Sequence, residues 1–352
     1  MFRKPKALVG LDIGSSAVKA VELKAAGKGY KVTAFGTEPV PPDSIADGAI
    51  IDAAAVSDAI RRLFESRGIK TKEVAASLSG NAVIVKKITV PFMTDADLAE
   101  AIHWEAEQYI PFDIQDVNLD YQILDRGDPA SGRTTMDVLL VAAKKEKIAD
   151  YTGVIAQAGR TALVVDVDAF ALQNAYFANY GSDGDAVVVL MNAGASATNI
   201  NILQHGQSVF TRDISIGGNA YTEALQRELN MPYESADALK RGQTVDGATY
   251  EEARPVLRAV TENVMLEIQK TFDFFKTTAA SEKIDRIVLS GGASRAEAFS
   301  DLLADRFELP IAAFDPFKNV GFDSKKLGVD SAEAAPTAAV AVGLALRKGG
   351  DR

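Results

Sequence analysis

The segment Ala7-Leu-Val-Gly-Leu-Asp-Ile-Gly-Ser-Ser-Ala17 can be laid without a gap over Val187-Val-Val-Leu-Met-Asn-Ala-Gly-Ala-Ser-Ala197. Gly14, Ser16 and Ala17 then meet Gly194, Ser196 and Ala197, and Asp12 meets Asn192. Each copy reads as an apolar strand, a turn of small residues and a second, alternating strand, Val18 to Leu23 in one case and Thr198 to Leu203 in the other. A strand hairpin repeated about half a chain apart points to a duplicated, two-lobed α/β architecture. At 352 residues the chain is long enough for it, with a core in each lobe.

Composition removes several classes of function. Apolar residues make up 47% and charged residues 24%, as expected of a folded globular chain. The formal net charge of -10 repels phosphate backbones, and no cluster of lysines and arginines with interleaved aromatics offsets it. Nucleic acid is therefore not an expected partner. With no cysteine there is no disulfide framework and no thiolate metal site. Only His103 and His205 could supply imidazole, and neither has a second histidine at helical spacing. Met1 to Lys6 is basic, but Asp12 breaks the apolar run that follows, which reads as a first strand and not as a signal sequence. Ala334 to Leu346 is too short to span a bilayer. A cytoplasmic location is the expectation.

Between the hairpins, Val74 to Leu78 and Val83 to Val90 read as strands, and Thr94-Asp-Ala-Asp97 as a helix start with a capping box. The helix runs through Tyr109, with Leu98, Ile102, Ala106 and Tyr109 on one side and Pro111 as its stop. Strands at Val117 to Leu124 and Met136 to Ala143 and a helix from Lys144 to Ala158 complete an inserted α+β unit. Farther on, Leu257, Val264, Ile268, Phe272 and Phe275 form the apolar stripe of a long helix. Arg286 to Ser290 is a strand, Gly291-Gly292 a turn and Arg295 to Arg306 a helix; Gly321 to Ala335 reads as a surface loop. Pro336 to Arg347 reads as a last helix with proline at its start and small residues that permit close helix approach at a hinge. The expected division is 1–81 for the first part of lobe 1, 82–159 for the insertion and 160–185 for the return to lobe 1. Lobe 2 takes 186–225, its helical subdomain 226–283 and its return 284–330, and 331–352 is a closing helix of lobe 1.

A phosphate chain needs backbone amides aimed at it and no side chains in the way. Gly14-Ser15-Ser16 and Gly194-Ala195-Ser196 offer this at strand-to-strand turns. Lys19 is spaced to reach a β- or γ-phosphate as a point charge, and Asp12 to hold a hydrated magnesium ion through water. Gly291-Gly292 would let a flat adenine lie against bare backbone. Two phosphate turns and this third turn together favour a nucleotide.

In their order these features resemble the actin, Hsp70 and hexokinase superfamily, which has a first phosphate loop, a connecting helix, a second phosphate loop, an adenosine loop and a final helix. Within it the resemblance is to the PilM family, FtsA-like cytoplasmic proteins of type IV pilus assembly. It is carried by Gly10-Leu-Asp-Ile-Gly-Ser-Ser-Ala-Val-Lys-Ala-Val-Glu-Leu23 and, more specifically, by Ile102-His-Trp-Glu-Ala-Glu-Gln-Tyr-Ile-Pro-Phe112. It covers the chain from about Lys6 to Arg347. The resemblance implies an actin-like, ribonuclease H-like duplicated fold with an FtsA-like inserted subdomain, and ATP with Mg2+ as ligand. It implies that Asp12, Gly14, Ser15, Ser16 and Lys19 form the first loop and Asn192, Gly194, Ala195, Ser196 and Thr198 the second. Gly217 and Gly218 would lie near the nucleoside, Asp237 and Lys240 would reach ribose and base, and Gly291, Gly292 and Arg295 would belong to the adenosine loop.

Two departures shape the expected function. Many ATP-hydrolysing relatives carry an aspartate where this chain has Asn192, and an amide lacks the charge to order a metal-bound water, so binding of ATP is expected to be firmer than turnover. Asp168, in Asp166-Val-Asp-Ala-Phe170, falls near the place where relatives keep a water-positioning residue; its other reading is a cap on the following helix. The end Leu344-Ala-Leu-Arg-Lys-Gly-Gly-Asp-Arg352 lacks the amphipathic membrane helix of FtsA. The resemblance therefore implies recruitment to the inner membrane through the short cytoplasmic N-terminal tail of PilN, held in a groove between lobe 1 and the insertion, with other pilus components as further partners. His103 and Trp104 would lie near that groove, whereas residue type alone puts Trp104 half-buried under the insertion and His103 at the surface. The alternatives are a slow ATPase or small-molecule kinase, and an actin-like filament former.

Overall fold

The computed structural model describes residues 7–278 and 283–351. The basic segment Met1 to Lys6 lies outside them.

The first half opens with β1 (Val9–Ile13), β2 (Ala17–Ala26) and β3 (Gly29–Pro39), then the short pair β4 (Ile45–Ala46) and β5 (Ala49–Ile50), α1 (Ala53–Ser66) and β6 (Glu73–Leu78). A second stretch follows with β7 (Val83–Pro91), α2 (Asp95–Glu107), β8 (Val117–Asp125), β9 (Thr135–Lys144), α3 (Lys145–Gln157), β10 (Thr161–Val167) and α4 (Asp168–Tyr180). The second half repeats the opening with β11 (Val188–Ala193), β12 (Thr198–Gln204) and β13 (Gln207–Ile214). It continues through α5 (Gly218–Leu229), α6 (Tyr233–Lys240), α7 (Tyr250–Thr278), β14 (Arg286–Ser290), α8 (Phe299–Phe307) and β15 (Ile311–Ala313). β16 (Val320–Gly321), α9 (Ser324–Leu327) and α10 (Ser331–Ala345) close the chain.

The duplication extends from sequence to topology. One sheet has the order β10-β6-β1-β2-β3-β16 and the other β13-β12-β11-β14-β15. In each, an antiparallel three-strand meander is extended by two parallel strands, β6 and β10 in the first and β14 and β15 in the second. β1 and β11 sit inside their sheets, and their side chains are buried on both faces, as central strands flanked by helices require.

Among the described residues, the three largest cores hold the two sheets. Val9, Leu11, Ile60, Phe64, Val154 and Ile155 join the first sheet to α1 and α3. On the second sheet, Val189 and Met191 pack against Ile268, Phe272 and Phe275 of α7, so the stripe read from the sequence faces the core. Between the sheets lie α4 and α10, whose Leu172, Tyr176, Ala338 and Val342 share one core with Val21 and Phe35 of the first sheet and Val188 and Leu190 of the second. The small residues of α10 permit this approach: a Cβ on Gly343 would fall 1.7 Å from the Ala171 carbonyl oxygen, and one on Gly10 would fall 2.0 Å from that of Ala341.

The insertion has its own core. In the order β7-β9-β8 its sheet buries Ile88, Val138 and Leu140 against Leu98, Ile102 and Ala106 of α2. Thr94 caps α2 with the reciprocal Asp97 contact of a capping box. The helix that follows, α3, does not share that core: Tyr151, Val154 and Ile155 pack on the first sheet. Trp104 is 73% exposed, against the half-buried placement expected from residue type. The reason is periodicity, since Leu98, Ile102 and Ala106 take the covered face and position 104 falls on the other.

Other local expectations give way near the C-terminus. Gly321 to Ala335 is not a loop but holds α9 and the first turns of α10. Asp330 caps α10 by accepting from Ala332 N–H at 2.8 Å, so Pro336 lies inside the helix and not at its start. Proline leaves the carbonyl four residues earlier, that of Ala332, without its helical donor. Arg295 fills the gap, its Nη2 donating to the carbonyls of Ala332 and Glu333 at 3.2 Å. Arg295 itself ends a 3-10 turn, Gly292–Arg295, and the helix beyond starts only at Phe299.

Candidate functional site

Each hairpin turn is closed by one backbone hydrogen bond. Gly14 N–H donates to the Ala17 carbonyl at 3.2 Å, and Gly194 N–H to the Ala197 carbonyl at 2.8 Å. The residues between have no such partner: among the described residues, the N–H groups of Ser15, Ser16, Ala195 and Ser196 meet no protein acceptor. Turns of this kind are anion cradles, with bare donors and no large side chain in front of them. A Cβ on Gly14 would come within 3.1 Å of the Ala17 carbonyl and 3.2 Å of Lys19 Nζ, so a side chain there would require the turn or the lysine to give by a few tenths of an ångström.

Directly across each hairpin sits a polar pair at the same register position. Asp12 faces Lys19, and Asn192 faces Asn199. Lys19 Nζ lies 2.8 Å from Asp12 Oδ2, and both side chains are 14% exposed. In the second hairpin Asn192 Nδ2 donates to Asn199 Oδ1 at 3.2 Å. The ion pair of the first copy has become an amide pair in the second, with the geometry kept and the charge removed.

The remaining expected residues divide into those that converge on the second hairpin and those engaged elsewhere. Gly217 presses on it so closely that a Cβ would lie 2.6 Å from the carbonyl oxygens of both Gly194 and Ala195. Gly218 and Asn219 donate their N–H groups to those carbonyls at 2.9 and 2.7 Å, which satisfies the free first-turn amides of α5. Gly291, at a φ of 92°, has room for no Cβ against the Ala193 carbonyl, and a Cβ on Gly218 would meet that of Ala293 at 3.7 Å. Lys240 reaches the same place from α6: its Nζ bonds Gly218 O at 3.2 Å, Thr222 Oγ1 at 2.7 Å and Asp237 Oδ1 at 2.7 Å. Gly292 lies in the adjoining turn, where a Cβ would touch Thr337 Cγ2 at 3.7 Å. Thr198 is turned away; it is buried, and its hydroxyl donates to Ile216 O at 2.9 Å.

Asp12 and Asp168, both expected at the site, are linked toward the second hairpin by residues not anticipated from the sequence: Ser77, Ser79, Lys147, Asn199 and Asp213. Asp168 opens α4 but does not cap it. Its Oδ1 instead accepts from Ser77 Oγ at 2.5 Å, with Ser79 also hydrogen-bonded to it. Burial, then the nearby Asp12 charge, push the Asp168 carboxyl up to about 6, and the Asp213 charge adds to this while the two serines pull it back. Lys147 is buried, which lowers its pKa, and Asp168 and Asp213 counteract that shift. Asp213 in turn accepts from Asn199 Nδ2 at 2.7 Å. The carboxylates of Asp12, Asp168 and Asp213 thus run from one hairpin to the other. One of these residues had a signal: extending the repeat by two positions pairs Lys19 with Asn199. Ser77, Lys147 and Asp213 had none.

Among the described residues, no group of three or more His, Cys, Asp or Glu side chains is placed to hold a metal by itself. His103 is exposed, and exposed His205 lies 3.2 Å from Asp185. Nor is any helix among these residues long and apolar enough to cross a membrane.

Comparison with known proteins gives these features relatives. The family described as type IV pilus assembly protein PilM matches residues 10–349. Among solved structures, a PilM-PilN type IV pilus biogenesis complex superposes with a TM-score of 0.86 at 29% identity, covering 99% of this chain and 100% of that one. MreB5 of Spiroplasma citri bound to AMPPNP superposes with a TM-score of 0.51 at 14% identity over 97% of this chain and 95% of its own, a likeness of fold. Cell division protein FtsA of Enterococcus hirae is 23% identical over 353 residues, covering 88% of this chain and 78% of its own.

Proposed function

We propose, from the premise that the chain belongs to the PilM family of type IV pilus assembly proteins, that it is an ATP-binding adaptor holding the N-terminal tail of a PilN-type inner-membrane protein. Its α/β fold is the actin-like one, shared with PilM and MreB structures. The observation that carries the nucleotide half of this reading is the pair of hairpin turns, each with uncapped amides and each backed by a polar cross-strand pair.

In this reading the amides of Ser15, Ser16, Ala195 and Ser196 take the phosphate chain, and Lys19 supplies the positive charge. Gly217 and Gly291 let backbone close on the second hairpin, and Gly218 and Gly292 keep large side chains away from the nucleoside, beside Lys240 and Asp237, with Arg295 bracing the turn behind. A bound magnesium ion would neutralise phosphate charge. Asp12 would hold it through water, since its Oδ2 is already engaged by Lys19. Asn192 contributes no charge, so turnover is slow compared with binding.

The tail-binding half rests on the match to a PilM-PilN complex along the length of both chains. The insertion of about 82–159, attached to lobe 1, would supply one wall of the groove, and recruitment of this chain to the inner membrane would follow from the partner. A synthetic tail peptide titrated into the full chain by calorimetry, with and without ATP and magnesium, is expected to bind and to bind more tightly with nucleotide. No heat in either titration would end the adaptor reading.

A second reading, a slow ATPase, is favoured by Asp168, a carboxyl with a raised pKa beside Asp12. Steady phosphate release well above background, abolished in Asp12→Ala, would select it over the pure adaptor.

A further inference from the structure

The carboxylate of Asp213 spans the space between the lobes. Asp213 lies on β13 of the second sheet. Its Oδ1 accepts from Asn199 Nδ2 at 2.7 Å, and its Oδ2 accepts from the backbone N–H of Gly80 at 2.5 Å. Gly80 belongs to the turn by which the chain leaves β6 of the first sheet and enters β7 of the inserted one; at a φ of 79° it adopts a conformation that favours glycine. Beyond Asn199, the chain of hydrogen bonds continues to Asn192 of the second phosphate hairpin.

The direction of every bond in this chain follows from its end. An ionised carboxylate only accepts, so Asp213 obliges Asn199 to present its Nδ2. Asn199 is left with Oδ1 toward Asn192, which must then turn its own Nδ2 to it. Asn192 Oδ1 faces Ser290 Oγ at 3.4 Å, in keeping with that orientation. The turn at Gly80 is gripped from the other side as well. Lys147 Nζ donates to Ser79 O at 2.6 Å, and Asp213 and Asp168 both favour its charged form. Gly80 therefore sits between two fixed supports, one in each lobe.

We propose that Asp213 is a cross-cleft latch, a positioning residue that couples the second phosphate hairpin to the turn leading into the inserted sheet. This rests on the nucleotide reading above. Asn192 Nδ2 has two N–H groups, one engaged by Asn199 at 3.2 Å and one free for a phosphate oxygen at the second hairpin. A phosphate that draws the amide toward itself lengthens the bond to Asn199 and so changes how Asp213 holds Gly80. The placement of the inserted sheet, and of any groove beside it, then depends on whether the hairpin is occupied.

Hydrogen exchange on the full chain, with ATP and magnesium as the probe, tests the latch in two arms. Without nucleotide, the Gly80 amide is protected, and Asp213→Ala speeds its exchange by roughly tenfold, as loss of a charge-assisted hydrogen bond should. Unchanged exchange at Gly80 in that variant overturns the latch, whether or not ATP binds. With nucleotide, exchange at the turn and along β7 changes in the natural chain and no longer changes in Asn199→Ala, which cuts the relay but leaves the Gly80 bond. The same nucleotide response in both proteins overturns the coupling. Unaltered protection in β1 and β11 shows that each variant is folded. Absence of ATP binding to the natural chain, seen separately by calorimetry, would instead remove the nucleotide reading and the coupling with it, while the first arm still reports on the latch.

Discussion

Gly343 of α10 lies against Ala171 of α4 so closely that a Cβ on it would fall 1.7 Å from the Ala171 carbonyl oxygen. This is the contact around which the two lobes pack, because α4 and α10 share one core with both sheets. In a free helix Gly→Ala stabilises by about 1 kcal/mol. Here the sign reverses. Gly343→Ala is expected to destabilise by about 1–3 kcal/mol or more, since backbone must move. A melting temperature equal to or above that of the natural chain would show that the helices are not held at this distance.

Arg295 and Pro336 make a compensating pair. The guanidinium serves the Ala332 carbonyl that proline leaves without a helical donor. Arg295→Ala should cost about 1 kcal/mol in the natural chain. In a Pro336→Ala background the helix supplies its own N–H, and the same replacement should cost less. Equal costs in a double-mutant cycle would remove the pairing.

Lys19 and Asp12 form the half-buried ion pair of the first hairpin. Lys19→Ala leaves the Asp12 charge facing the incoming phosphates. ATP affinity is expected to fall by roughly 100-fold or more, while stability falls by about 1–3 kcal/mol, the scale of leaving a largely buried polar or charged group without its partner. Displacement of a fluorescent ATP analogue measures the first quantity and urea denaturation the second. Undiminished affinity would mean that the phosphates do not sit on this hairpin.

Asp168 gives a pH signature. Its carboxyl titrates near 6 in the folded chain against 3.8 for an ordinary aspartate, so folding favours the protonated form. Its contribution is complete below about pH 3.8 and is lost as pH rises through 6. By pH 7 the loss is on the order of 3 kcal/mol, at about 1.4 kcal/mol for each pH unit that separates the folded from the unfolded titration. Asp168→Asn, which keeps an acceptor for Ser77, should therefore gain stability over the natural chain between pH 4 and pH 7. A difference that stays flat across that range in urea melts would mean that the carboxyl is not buried beside Asp12.

Trp104 is the single tryptophan of the chain and is 73% exposed. Its emission should lie at the long-wavelength limit and be readily quenched by acrylamide. Trp104→Ser should change stability by less than about 0.5 kcal/mol. A blue, protected emission would place α2 differently from the fold described above. If the tail peptide covers α2, the same fluorescence shifts on binding.

Much of the site was legible where its logic is local. The repeated hairpin could be read directly because turn closure and cross-strand pairing join residues a few positions apart: Gly14 to Ala17, Asp12 to Lys19 and their counterparts. The capping box at Thr94 and the stripe on α7 were legible for the same reason. Local rules also misled. Pro336 suits the first turn of a helix, yet Arg295, remote in the chain, makes it tolerable inside one. Thr198 has the position of a phosphate ligand, but the nearby Ile216 carbonyl takes its hydroxyl.

By itself, then, the sequence determined the two cradles, their order and the apolar faces that fold each lobe, because these depend on periodicity and short-range hydrogen bonds. Only the tertiary structure decided that α3 packs on the first sheet, that Asp168 bonds Ser77 instead of capping its helix, and that Asp213 meets Gly80 across 133 positions of chain. Such contacts arise when elements remote in the chain pack together, within one sheet for Ser77 and Asp168 and between lobes for Asp213 and Gly80. The partner of a half-buried carboxylate is chosen by that packing and not by its neighbours in the chain.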